Sequence, residues 1–220
     1  MRAAYQEQLE DTRVHLVTMA DRVSTMVAQA TTALLEGDLR LAESVVAADA
    51  VVNESHDHTD EMVVDLLARQ APVAGDLRQV LSALRISADL ERMGDLAAHI
   101  AKVARMRYPE VAVPDAVAGT FAELGERDAA IGRKTARMLA SNSVELCQEI
   151  LTDDDGIDRL HRSLFMVVLE RDWPGSTEQA VDLVLLGRYY ERYADHAVLI
   201  ATYVDYLVTG TYNRPAPRTA

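Results

Sequence analysis

Several residue types are scarce in this chain, and each scarcity closes off a class of protein. One cysteine, Cys147, in 220 residues leaves no intramolecular disulfide framework and fits a reducing compartment. It falls in an apolar helical pattern, where an inert buried thiol is expected rather than a nucleophile. Aromatic residues make up 5%, with two Phe and one Trp. The apolar mass is therefore Ala, Leu, Val, Met and Ile, which suits helix-on-helix packing better than a sandwich or barrel. Positive charge is also short: 22 Lys and Arg stand against 35 Asp and Glu, for a net charge of −13. Such a surface cannot displace counterions from a phosphate backbone or an anionic lipid sheet, which excludes nucleic acid as a direct partner. Cations, or a basic face of another protein, are its natural complements. No window approaches the apolar length of a bilayer span, so direct membrane insertion is not expected. The N-terminus alternates charged and apolar residues with no secretory core. The expected location is cytoplasmic.

What is present is helical periodicity, six times over. The first segment runs from about Tyr5 to Glu36, with Leu9, Leu16, Val23 and Ala30 recurring every seven residues. Thr12, Met19, Met26 and Ala33 interleave with them to complete a heptad stripe, which serves intramolecular packing or dimerisation equally. Gly37 ends this helix, and Asp38 caps a second over about Leu39 to Gln70. Pro72 and Gly75 mark a turn, and Asp76 is read as the cap of a third helix reaching about Arg107. Two prolines between Tyr108 and Pro114 mark a linker. Asp115 is read as the cap of a fourth helix to about Ala140. Ser143 starts a fifth that ends near Arg171, and Pro174-Gly175 turns the chain. Ser176 with Gln179 forms a capping-box pattern for a sixth helix reaching Gly210. The expected fold is all-α: two tandem pseudo-symmetric three-helix bundles of long antiparallel helices. Residues 1–108 make the first, 109–114 the linker, 115–210 the second, and 211–220 a disordered tail.

The halves echo each other. Leu90-Glu91-Arg92-Met93-Gly94-Asp95 recurs 100 positions later as Tyr190-Glu191-Arg192-Tyr193-Ala194-Asp195. In the third helix the seam Leu77, Leu81, Leu84 and Ala88 runs on into Glu91 and Asp95; in the sixth, Val181, Val184 and Arg188 run on into Glu191 and Asp195. The second helix carries Asp49, Asn53, His56 and Asp60 along one stripe, and the fifth carries Asp154, Asp158 and His161. Like charges one turn apart repel by about 0.2–0.5 kcal/mol even when solvated. Bound cations offset this directly, since oxygen ligands at i and i+4 on facing helices build carboxylate-bridged metal sites. His99 and His196 could add nitrogen ligands. Ordinary ion pairs offset it too: Arg92 and Arg192 each stand three residues before an Asp. The histidines around Asn53-Glu54-Ser55-His56-Asp57-His58 scatter round the helix and are read as mostly solvent-facing. Glu-x-x-His, which a ferritin-type di-iron site needs on two helices, does not occur. A P-loop, a dinucleotide-binding glycine motif and a Ser/His/Asp or Cys/His constellation are absent as well.

Three segments together resemble the PhoU family of bacterial phosphate-signalling regulators. They are Arg69-Gln70-Ala71-Pro72-Val73-Ala74-Gly75-Asp76-Leu77-Arg78, Asp89-Leu90-Glu91-Arg92-Met93-Gly94-Asp95 and Glu191-Arg192-Tyr193-Ala194-Asp195-His196. The ending Tyr206-Leu207-Val208-Thr209-Gly210 is similar too. The resemblance implies a non-enzymatic accessory protein of high-affinity phosphate uptake. Such a protein restrains both the ATP-binding subunit of the phosphate ABC transporter and the phosphate-sensing histidine kinase, and is recruited through them to the inner face of the membrane. It further implies iron or zinc clusters on E/D-x-x-x-D motifs. By position, Asp49, Asn53, Glu91 and Asp95 would make a first metal site, and Asp154, Asp158, Glu191 and Asp195 a second. Asn53 offers an uncharged amide oxygen where the pattern has a carboxylate. The competing reading is a metal-dependent enzyme or a metal-storage bundle built on the same carboxylates.

Overall fold

In the computed structural model, which describes residues 2–70, 72–169, 173 and 175–212, six helices follow one another. They are α1 Arg2–Glu36, α2 Leu39–Gln70, α3 Ala74–Arg107, α4 Asp115–Ser141, α5 Val144–Val168 and α6 Thr177–Thr209. Among the described residues there is no strand. All eight residues of the α1 heptad stripe are buried. The stripe is consumed within the chain, since α1 packs on α2, α3 and α4.

The helix ends follow local chemistry. Gly37 takes a left-handed φ of 65°, which a residue with a Cβ adopts only at a cost. Asp38 then accepts the Leu41 amide at 3.0 Å, as expected for an N-cap. Ser143 accepts the Leu146 amide at 3.2 Å. Ser176 and Gln179 close the capping box reciprocally, at 3.1 Å and 2.9 Å. Gly210, with φ 73°, ends α6 by donating its amide to Tyr206. Two expected caps are corrected. The N-caps of α3 and α4 are Val73 and Pro114, both with extended backbone and neither making a side-chain cap bond. Asp76 and Asp115 lie inside the first turn, where their charge complements the helix dipole instead. The α5 helix stops at Val168 rather than near Arg171. Arg171, Pro174 and, in the expected tail, residues 213–220 lie outside the described residues.

Each run of three helices packs mutually, α1 with α2 and α3, and α4 with α5 and α6. The halves also join along their lengths, through α1 on α4 and α3 on α6. Both cross-pairs are antiparallel. Ser24 donates to the Ala129 carbonyl at 3.0 Å, and Arg13 to the Leu139 and Ala140 carbonyls at the C-terminal end of α4. Along α3 and α6, Arg107 binds Asp182 at 2.6 Å, Asp89 meets His196, and the Arg85 guanidinium sits 5.6 Å from the centre of the Tyr203 ring. A four-helix layer of α1, α3, α4 and α6 therefore forms the middle, with α2 and α5 on its outer sides. Buried side chains form one continuous core across both halves. Even the connection between them contributes to it, through Ala112 and Val113.

The close approach of α1 to α4 rests on small residues. A Cβ at Gly125 would lie 2.3 Å from Thr31 Oγ1, and one at Gly132 would lie 2.7 Å from the Tyr193 hydroxyl and 2.8 Å from Ser24 Cβ. The glycines are notches into which the facing side chains fit. Among the described residues, no helix is long and apolar enough to cross a membrane.

Candidate functional site

The repeated motifs put Glu91 and Asp95 on one face of α3 and Glu191 and Asp195 on one face of α6, all four half-buried. In the first half α2 brings Asp49 towards this face. Burial raises the Asp49 carboxyl above the usual carboxylate range, and the Asp95 charge adds to the rise; Lys102 and His99 oppose it. One Asp49 oxygen, Oδ1, is buried without a hydrogen-bond partner. His99, one turn after Asp95, places Nδ1 2.8 Å from its carbonyl and 3.2 Å from its carboxylate. Asn53 is exposed, and Glu91 lies 3.4 Å from the guanidinium of its neighbour Arg92. The first set is thus Asp49 and Asp95 flanked by His99 and Lys102.

In the second half Glu191 is the perturbed acid of the repeated motif. Its carboxyl is pushed up to about 7, first by burial and then by Asp195 and Asp158; Arg188 works against the shift and hydrogen-bonds to it. Glu191 therefore feels the charges of both Asp158 and Asp195, with Arg188 bonded to it. His161, three residues after Asp158, is the adjacent imidazole. Burial lowers its pKa, and the Arg188 charge lowers it further.

Asp154 does not join this set. It is fully buried and faces Asp128 of α4, also fully buried. Asp128 is a residue that sequence reasoning missed, although a signal existed: Phe121, Asp128 and Thr135 are seven apart, and all three are fully buried. A carboxylate at a core heptad position should have drawn notice. Arg188 was missed as a counter-ion as well; it bonds Glu191, three residues on. His196 also departs from expectation, because it bonds Asp89 across the halves at 2.7 Å. His56 is half-buried and bonds Ser87 at 2.9 Å, whereas His58 is exposed as expected.

The acids fit a metal cluster only in part. The orphaned Asp49 oxygen and the strain on Glu191 are what a bound cation would relieve. Yet Lys102 and Arg188 already bring positive charge to the two sets, and among the described residues no three His, Cys, Asp or Glu side chains form a group able to hold a metal ion. The sets lie along helix faces, where His99 pairs with Asp95 on α3 and Arg188 with Glu191 on α6, each about one turn apart.

Fold and site together define a duplicated all-α protein with an acidic motif in each copy. The model of the PhoU domain matches twice, over residues 16–104 and 121–204. The chain is 42% identical over 212 residues to the phosphate-specific transport system accessory protein PhoU homolog 2 of Mycobacterium tuberculosis, covering 96% of this chain and 100% of the relative. It is equally 42% identical to homolog 1 of Mycobacterium leprae, over 96% of each chain. Its fold matches the crystal structure of PhoU from Pseudomonas aeruginosa with a TM-score of 0.83 at 30% identity, covering 94% of this chain and all of the other. The Streptococcus pneumoniae phosphate transport system regulatory protein PhoU gives 0.86 at 22%, a likeness of fold. The chain belongs to the PhoU family.

Proposed function

We infer that this protein is a non-enzymatic regulator of phosphate uptake that also keeps phosphate-starvation signalling off when phosphate is plentiful. The observation that carries the reading is likeness along nearly the whole chain to relatives named as accessory proteins of phosphate-specific transport. The inferred partners are the ATP-binding subunit of the phosphate transporter and the phosphate-sensing histidine kinase, met at the cytoplasmic face of the membrane.

The physical character of the chain suits such a role. A rigid body with one continuous core and a net charge of −13 can recognise basic faces by electrostatic complementarity. A regulator of this kind shifts a partner only by its difference in affinity for the partner's two states; a hundredfold difference is about 2.7 kcal/mol, enough to move an even equilibrium almost wholly to one side. No chemical step is required of the acids. In this reading they shape the helix faces, and metal on Asp49, Glu91 and Asp95 or on Asp158, Glu191 and Asp195 would brace those faces.

Deletion of the gene tests the reading. Phosphate-scavenging genes should stay on in phosphate-rich medium, and the purified protein should capture the transporter ATPase and the kinase from solution. Normal repression in a strain lacking every homologue would overturn it.

A further inference from the structure

Two of the family-like sequence segments have no part in the paired acids: the one ending in Arg78 at the start of α3, and the one from Tyr206 to Gly210 at the end of α6. In the fold they meet. The Arg78 guanidinium lies 5.9 Å from the centre of the Tyr206 ring. A Cβ at Gly75 would stand 3.9 Å from Arg78 Nη2, and one at Gly210 4.0 Å, so this side chain reaches from one helix end to the other. After Gly210, Tyr212 packs against two rings of α6, edge-on to Tyr206 at 5.6 Å and stacked on Tyr203 at 6.4 Å. The Arg85 guanidinium, 5.6 Å from the centre of the Tyr203 ring, completes the row.

This row is open to solvent and unmatched in charge. Arg85 is exposed, as are Tyr212 and Leu81, the last lying between the two arginines on α3. Among the described residues neither Arg78 nor Arg85 pairs with an acid, and Arg78 Nε is buried without a hydrogen-bond partner. On a chain of net charge −13, two arginines without acids are a local exception to the sign of the surface. Arginine and tyrosine are the side chains that anchor protein interfaces, and a planar guanidinium pairs bidentately with a carboxylate.

Spacing decides the kind of ligand. Arg78 and Arg85 stand seven residues apart on one face of α3, about 10 Å along its axis, and each guanidinium rests on a different tyrosine. Two ligand charges at that interval match them better than one small anion does. An extended polyproline-II segment turns once in three residues, about 9 Å, and so presents acids at i and i+3 on one side at nearly this interval. Leu81 and the phenol rings give such a segment an apolar floor.

We propose that this row is the docking site for an acidic, extended segment of another protein, whose carboxylates three residues apart pair with Arg78 and Arg85 over the tyrosines. The site goes beyond the regulator reading and does not rest on it. The body as a whole suits basic faces, whereas this end takes an acidic one.

The test uses full-length protein and a fluorescein-labelled peptide of four Glu-Pro-Ala repeats, read by anisotropy at low salt. Wild type should bind it, with affinity falling as salt rises. Arg85→Gln, at an exposed position, should weaken binding about tenfold or more, and so should Tyr212→Ala. Arg22→Gln, an equal loss of charge on the exposed surface of α1, should leave binding unchanged. A peptide of the same composition with its glutamates together at one end should bind about tenfold more weakly. The proposal is overturned by no binding to wild type, by equal losses in Arg85→Gln and Arg22→Gln, or by equal affinity for the clustered peptide. Displacement of the peptide by inorganic phosphate, but not by sulfate at matched ionic strength, would assign the row to a free anion instead. A wild-type dimer that Arg85→Gln dissociates would assign it to a second copy of this chain.

Discussion

His196 Nδ1 lies 2.7 Å from Asp89 Oδ1 across the antiparallel contact of α6 with α3, and both side chains are only 13% exposed. This bond ties the two halves together near the middle of the shared core. A hydrogen bond to a charged group contributes about 1.5–3 kcal/mol, and removing one partner strands the other. Asp89→Ala and His196→Ala should therefore each lower stability by about 1–3 kcal/mol in urea titration. In the double variant the losses should fall short of additivity by at least about 0.5 kcal/mol. Additive losses would mean the two residues act separately and the bond is not a joint between halves.

Glycines on α4 offer a test of packing against helix propensity. Gly119 has no atom within 4 Å of a built Cβ, so Gly119→Ala should stabilise by about 0.5–1 kcal/mol. Gly125 has the same helical setting but faces Thr31 Oγ1 at 2.3 Å. That threonine cannot retreat cheaply, because its hydroxyl bonds the Val27 carbonyl at 2.8 Å and the Tyr190 phenol at 2.9 Å. Gly125→Ala should destabilise by about 1–3 kcal/mol despite the better helix former. Opposite signs for two identical substitutions six residues apart in thermal melts are the expected result.

Most of the fold was legible because its signals are local. Seven-residue spacing, glycine stops and serine caps act within one or two turns, and they place all six helices. The caps at Asp76 and Asp115 were misread for a physical reason: a helix N-terminus favours a carboxylate both as a cap and in the first turn, and sequence alone does not separate the two. The site was legible only along each helix. Glu91 with Asp95, and Glu191 with Asp195, follow from i, i+4 spacing. Which side chain turns towards which neighbour depends on the rotation of each helix and on pairing between halves more than 100 residues apart. That is why Asp154 and Asp158, one turn apart, face different neighbours, and why His196 meets Asp89 rather than an acid of its own half.

The difference between a cap and a first-turn charge is itself measurable. Ser176 accepts the Gln179 amide at 3.1 Å and receives the reciprocal bond at its own amide, so Ser176→Ala should destabilise by about 1 kcal/mol, with little dependence on salt. Asp115 makes no cap bond and acts through the dipole field. Asp115→Asn should cost about 0.3–1 kcal/mol at low ionic strength and far less at 1 M salt. A salt-independent loss at Asp115 would restore it as a cap.

Cys147 provides the pH-dependent case. Its side chain is 1% exposed, and the thiol is pushed up to about 11 from 9.0, first by burial and then by the Asp205 charge. The sign follows from which state ionises first. Below pH 9 both folded and unfolded thiols are neutral and the group has no effect on stability; between pH 9 and 11 the unfolded chain loses its proton first, so stability falls as pH rises. Because the thiolate is the reactive form, modification by a disulfide reagent at pH 8 should be roughly 100-fold slower in the native protein than in urea-unfolded chain. Raising the pH from 8 to 10 should accelerate the native reaction about tenfold per unit while the unfolded rate levels off near its own pKa. A native rate that levels off near pH 9 would show that Cys147 titrates as though in water, and that the α5 face carrying it opens to solvent.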